Sequence, residues 1–344
     1  MTTPATPVRT RAWVDGVLEA QGFPLEDVSH RLRQPGALVW ADLLNPGVDL
    51  LAQLADELGF DKRAVEDVVE HNERTKATRY ATHTFVTAYA TALGPQIPGS
   101  IESRLLKSKV SIFVLPDGVV TVRRESDCRQ PVFDIDDVVR HWDDNADLLR
   151  LGSRALLHGI LDVVVDGQFD TIQELDDAIE GLEDGLFDDK AQTRQLQRDT
   201  YRLRKELVEL RRIVLPMREV VNTIMRRSAE AGLESKDTVE LNSWYQDLYD
   251  HVIRAGEWTE SLRDMITTVF ETNLSLQDAR LNTIMKKLTG WAAIIAVPTL
   301  VTGWYGQNIP YPGFNEFSGV VTSALVSVGT SVALYLGFRH RNWI

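Results

Sequence analysis

The chain has 344 residues, with 37 Lys and Arg against 50 Asp and Glu, for a formal charge of -13. A chain this acidic, without a long basic tract, is a poor partner for nucleic acid. The single cysteine, Cys128, excludes an intrachain disulfide and a cysteine-rich zinc site.

Residues 1–12 are polar, with no apolar h-region, so they read as a disordered N-terminus rather than a cleaved signal peptide. Residues 13–155 read as a cytosolic α/β domain with a mostly buried sheet. Segments 37–40, 84–89 and 110–115 have strand composition, and 119–122 follows Asp117-Gly118, a hairpin signal. Segments 50–58 and 62–70 have helical spacing.

Strand signals vanish after residue 155. Segment 162–189 is acidic and helical, and 192–227 is basic and helical. Residues 156–234 therefore read as two antiparallel cytosolic helices whose opposite charges face each other. A cation-sensing acidic face is the alternative, and it is set second because exposed charge runs are usually solvation.

A third helix is expected from residue 235, where Asp237 and Glu240 have capping-box spacing. Leu241, Leu248, Ala255, Leu262, Val269 and Leu276 recur every seventh residue, a coiled-coil-like seam for neighbouring helices or copies of itself. Continued to residue 305, such a helix spans roughly 100 Å at ~1.5 Å per residue, too long for a compact domain.

Two C-terminal segments, 288–305 and 317–338, carry no ionisable side chain except Tyr305 and Tyr335. Each is long enough to cross a ~30 Å hydrocarbon core. Lys286 and Lys287 precede the first, Arg339, His340 and Arg341 follow the second, and the loop between them holds Glu316 but no Lys or Arg. The positive-inside rule then places both termini, with the basic tail 339–344, in the cytoplasm and loop 306–316 outside.

Two seven-residue columns run into the first segment. One is Glu271, Asp278, Met285, Ala292 and Thr299; the other is Ser275, Asn282, Thr289, Ala296 and Gly303. Small residues suit a tight helix seam, but a dry seam would not continue into Glu271 and Asp278. The columns, together with Leu288, are therefore read as the wall of an oligomeric pore.

The residues Tyr305-Gly306-Gln307-Asn308, after the first of two C-terminal segments, resemble the CorA family of magnesium transporters, which carries Tyr-Gly-Met-Asn there. Tyr249-Asp250-His251, Leu262-Arg263-Asp264, Leu210-Arg211-Arg212, Pro216-Met217-Arg218-Glu219 and Trp40-Ala41-Asp42-Leu43 also look like family positions. The resemblance implies a homopentameric funnel: an α+β cytosolic domain, a long stalk helix lining the pore, and a second transmembrane helix facing lipid. It makes Gly306, Gln307 and Asn308 the selectivity motif of a multi-pass inner-membrane protein.

Magnesium gives up its water reluctantly. A ring of neutral Asn308 carbonyls can bind the hydrated ion through its waters and still release it. Glu316 at the mouth would raise local cation concentration. Two departures stand out. Gln307 replaces the family's Met, and zinc-transporting relatives of the ZntB type also vary there. Asp247 matches a stalk carboxylate that shares a regulatory intersubunit metal in the family, but the expected partner position, residues 93–95, holds Leu93-Gly94-Pro95.

The expected function is passage of hydrated divalent cations, magnesium first, with cobalt and nickel as further candidates and no organic cofactor. The expected partners are copies of itself and the lipid bilayer. A zinc transporter is the first alternative; a non-conducting membrane-anchored coiled-coil scaffold is the rival from another class. The sequence shows no nucleotide-binding loop or catalytic triad, so no enzyme is expected.

Overall fold

The structure is a computed structural model describing residues 8–70, 73–97, 100–125, 132–186, 193–230, 236–307 and 310–344. Cys128, Asp189, Gln192, Ser235 and Asn308, on which parts of the sequence reading fall, lie outside the described residues. The chain divides into two units, Met1–Val269 and Phe270–Ile344.

The first unit is built on a seven-stranded sheet of order β2-β1-β3-β7-β6-β5-β4. Its strands are β1 (Val8–Val14), β2 (Val17–Gln21), β3 (Ala37–Leu44), β4 (Lys76–Arg79), β5 (Thr84–Leu93), β6 (Leu105–Leu115) and β7 (Gly118–Arg124). Neighbours are antiparallel except β3 and β7, which pair in parallel. The hairpin signal at Asp117-Gly118 joins β6 to β7.

Both faces of the sheet are covered, so the central strands read as continuous apolar runs. Leu38, Trp40, Val86, Ala88 and Ile112 point to one side, where α4 (Ile135–Asp144), α5 (Ser153–Leu186) and α7 (Met217–Glu230) pack. Val39, Ala41, Leu43, Phe85 and Phe113 point to the other, against α2 (Val48–Leu58) and α3 (Lys62–Val69). Trp142 of α4 meets Trp40 edge-on at 5.0 Å and Trp13 at 5.9 Å. Gly159 of α5 makes this possible, because a Cβ there would collide with the Trp142 ring.

One charged pair lies inside the sheet. Arg123 Nη2 donates to Asp42 at 2.9 Å and Thr121 Oγ1 donates to the same carboxylate at 2.7 Å. A buried pair persists only when its lone pairs and protons are satisfied in this way.

The first unit differs from the sequence reading at three points. The α/β domain takes in residues before 13: β1 starts at Val8, so residues 8–12 belong to the sheet. Arg9 and Arg11 hide its apolar pattern, and they pair with Asp136 and Asp143 of α4. The basic helix is two helices, α6 (Thr193–Val214) and α7, broken at Leu215-Pro216 because proline lacks the N–H that would continue α6. Among the described residues, the ion pairs of α6 outside itself run to Arg104, Lys107 and Glu260 rather than to the acids of α5.

Helix α8 (Lys236–Tyr305) is 70 residues long. Within the first unit its seventh-residue column, Leu241, Leu248, Ala255, Leu262 and Val269, is buried. The column packs against helices of the same chain: the Tyr245 hydroxyl donates to the Arg154 carbonyl at 2.8 Å, and Trp258 Nε1 donates to Asp176 at 3.1 Å.

The second unit holds the rest of α8 and α9 (Phe317–His340). These two helices are long and apolar enough to cross a membrane. Trp291 and Tyr335 meet with ring centres 6.2 Å apart. Gly290 is the close-approach point: a Cβ there would lie 3.1 Å from the Ile344 side chain, and Trp343 stacks on Phe338.

Candidate ion-conduction site

Positions 292, 296, 299, 303 and 307 recur at helical spacing, so Ala292, Ala296, Thr299, Gly303 and Gln307 share one face of α8's final turns. They line an open trough of about 940 Å³ that Ile295, Leu300 and Trp304 border. All five are exposed in the single chain. Val297 also lines the trough and is half-buried, and Gly290, Ala293, Ile294 and Val301, on the other side, are buried or half-buried. Below the trough, Glu271, Asp278, Asn282, Met285, Leu288 and Thr289 are exposed as well.

The helix runs through Pro298. Proline has no N–H, so the Ile294 carbonyl receives no bond from that position. Beyond it, Thr302 Oγ1 donates to the Thr299 carbonyl at 3.2 Å, and Thr299 Oγ1 donates to the Ile295 carbonyl at 3.5 Å.

The helix closes at Tyr305. The N–H of Gly306 donates to the Thr302 carbonyl at 2.8 Å and that of Gln307 to the Trp304 carbonyl at 3.3 Å. Glycine suits position 306 because a Cβ would sit 3.0 Å from the Thr302 carbonyl oxygen. Glu316 takes the N-cap position of α9 and accepts from Ser318 Oγ at 2.9 Å. A carboxylate there also complements the helix dipole.

Asp247 is exposed on α8, with His251 Nε2 3.8 Å from its carboxylate. Asp162 of α5 lies nearby, with His141 Nδ1 3.5 Å from its own carboxylate. Burial raises the Asp162 pKa, His141 and His251 oppose the rise, and Asp247 adds to it. Burial and the neighbouring Asp162 raise Asp166 likewise. His158 behind them is lowered to about 4 by burial.

Sequence reasoning sought a partner carboxylate for Asp247 at residues 93–95, and Leu93-Gly94-Pro95 offers none. The structure shows acids elsewhere in the first unit: oxygens of Asp67, Glu70 and Glu73 lie within 4.8 Å of one another. Spacing by three residues at the end of a helix is the signal that could have found them. An all-oxygen donor set suits a hard cation. Lys76 already reaches Asp67 at 2.8 Å and Glu73 at 3.1 Å. Burial opposes ionisation of Glu73, but the Lys76 ammonium outweighs it and the pKa falls. Buried Lys109 caps the end of α3, donating to the carbonyls of Asp67, Val68 and Glu70. Burial holds that ammonium's pKa down at about 8.

The described chain thus combines an α/β domain, a 70-residue helix and two helices long and apolar enough to cross a membrane. A family profile described as "CorA-like Mg2+ transporter protein" matches residues 35–340, and the chain belongs to that family. Its members are divalent-cation transporters and not enzymes.

The chain is 26% identical over 325 residues to the putative metal ion transporter YfjQ of Bacillus subtilis, covering 94% of each. It is 25% identical over 300 residues to the cobalt/magnesium transport protein CorA of Thermotoga maritima, covering 86% of this chain and 80% of that one. The fold matches the complete structure of the CorA magnesium transporter from Methanocaldococcus jannaschii with a TM-score of 0.71 at 20% identity, over 97% of this chain and 98% of that one.

Proposed function

We propose that the chain is one subunit of a homopentameric funnel that passes hydrated magnesium along the exposed column of α8. The observation that carries this reading is the column itself. Ala292, Ala296, Thr299, Gly303 and Gln307 share an open, exposed face, while Gly290, Ala293, Ile294 and Val301 behind it are buried or half-buried. Five such faces around an axis would enclose a path lined by hydroxyls, small groups and, at its end, an amide.

Gly306, Gln307 and Asn308 form the selectivity motif at the outer mouth. Its neutral amides bind the ion through its waters and release it, which conduction requires. Glu316 has an anchored place at the α9 N-terminus and contributes negative potential beside the mouth. Both termini lie in the cytoplasm of an inner-membrane protein, as Lys286, Lys287, Arg339 and Arg341 favour.

Asp247 serves an intracellular regulatory ion. Asp162 beside it, and Asp67, Glu70 and Glu73 of a neighbouring subunit, are the oxygens available to it. A divalent ion that binds the Asp67 group displaces the Lys76 ammonium.

The test is uptake into liposomes by the purified protein with magnesium, cobalt, nickel and zinc in competition. Magnesium is expected to enter fastest and to be competed by cobalt and nickel. Zinc uptake that magnesium does not slow would contradict the magnesium assignment.

A further inference from the structure

Helix α8 ends at Tyr305, whose carbonyl is one of the last four with no helical donor. The Tyr311 hydroxyl donates to that carbonyl at 3.3 Å. The two rings meet edge-on with centres 4.9 Å apart, and Phe314 meets Tyr311 edge-on at 5.4 Å. Both geometries are favourable for aromatic pairs. The Phe314 N–H donates back to the Tyr311 carbonyl at 2.9 Å and closes the turn between them.

On its far side the Tyr311 ring lies against the first turn of α9. A Cβ on Gly319 would sit 3.5 Å from Tyr311 Cε2, and the Gly313 carbonyl fills the rest of that space. Tyr305 and Tyr311 are half-buried, whereas Gly303, Trp304, Gly306, Gln307, Pro310 and Pro312 are exposed. A single side chain therefore touches the end of the pore-lining helix, the external loop and the start of the second span. Gly306 and Gln307 directly follow Tyr305.

We propose that Tyr311 is a positioning residue for ion selection, clamping the end of α8 to α9 so that Gly306 and Gln307 stand at a fixed place at the pore mouth. The inference rests on the reading of Gly306-Gln307-Asn308 as the selectivity motif. A site that reads an ion through its water shell discriminates by distance. A mouth held at one width favours one hydrated size, and a loosened mouth adapts to several. Loss of the clasp therefore lowers selectivity before it lowers flux. Hydroxyl and ring act separately: Tyr311→Phe removes the donor and keeps both ring contacts, whereas Tyr311→Leu removes all three.

The experiment is magnesium uptake in liposomes with nickel as competitor, run on the full-length wild type, Tyr311→Phe, Tyr311→Leu and Asn308→Ala, with oligomer size and melting followed in parallel. Tyr311→Phe is expected to reduce the preference for magnesium over nickel a few-fold, on the order of one neutral hydrogen bond. Its maximal flux, oligomer and melting temperature stay unchanged. Tyr311→Leu should reduce the preference further and raise the half-saturating magnesium concentration. Asn308→Ala should be inactive. If Asn308→Ala is inactive while both Tyr311 variants keep the wild-type preference, the positioning role alone is overturned. A fall in preference only in step with lost assembly or melting would also overturn it. Full-rate flux through Asn308→Ala would overturn the motif reading and this inference with it.

Discussion

The two units treat their side chains in opposite ways. In the first, charged groups that leave water find partners: Asp42 has Arg123 and Thr121, Glu206 has Arg104, and Lys109 has three carbonyls. In the second, large apolar side chains such as Leu300, Phe317 and Leu325 stay uncovered, at 75%, 82% and 69% exposure. Water would penalise that surface heavily; hydrocarbon and copies of the same helix would not. The same α8 passes from one regime to the other. Its seventh-residue column is buried against its own chain up to Val269, and its small-residue face is open from Ala292 onward. A helix that is buried along one stretch and open along the next has to be read in two solvents.

The sharpest way to break this comparison is an all-or-none labelling experiment. In a Cys128→Ser background, cysteine at Pro312 should react with an impermeant thiol reagent in intact cells, and cysteine at Asp49 should not. Reaction at Asp49 and protection at Pro312 would reverse the assignment of sides.

The next largest effect concerns the buried charges of the first unit. Arg123→Met leaves the Asp42 carboxylate without its ionic partner inside the sheet. It should lower stability by about 3–5 kcal/mol in denaturant unfolding, the usual consequence of breaking such a pair. Leu300→Ala in the second unit should change melting little in detergent, because that side chain is 75% exposed. Equal losses would mean that the units do not differ as described.

A smaller effect follows from His158. Its Nε2–H donates to the Trp244 carbonyl at 3.2 Å, and burial lowers its pKa from the ordinary 6.5 to about 4. Between those values the unfolded chain binds a proton that the fold refuses. The unfolded state then carries more protons, so stability rises with pH across that window and falls on acidification. His158→Gln should flatten the decline in melting temperature between about pH 6.5 and about pH 4. A decline as steep as the wild type's would assign it to other groups.

Much of the fold was legible in the sequence because period and solvent coincide. The column from Leu241 to Val269 repeats every seventh residue and is buried; the runs at 37–40, 84–89 and 110–115 are apolar on both sides and sit in a sheet covered on both faces. What escaped reading depended on partners distant in sequence. Strand β1 alternates with Arg9 and Arg11, whose neutralising acids lie in α4, far along the chain. The Pro216 break was written in the sequence, but the surrounding basic residues continue the helical pattern on both sides.

The site divides in the same way. The exposed small-residue column of α8 follows from spacing alone, since small and hydroxylated residues recur on one face. The Asp67, Glu70 and Glu73 group was missed because a partner for Asp247 was sought at residues 93–95. The contacts of Tyr311 with Tyr305 and Gly319 join the ends of two helices, which no local spacing shows.

The central claim is that the open face of α8 is the wall of the ion path. Magnesium flux through Ala296→Phe, Thr299→Phe and Ile295→Phe proteins in liposomes, at equal oligomer content, tests it most directly. Ala296→Phe and Thr299→Phe are expected to reduce flux to the protein-free leak, and Ile295→Phe to retain most of it. Equal loss at all three positions, or full flux through Ala296→Phe, would contradict the claim.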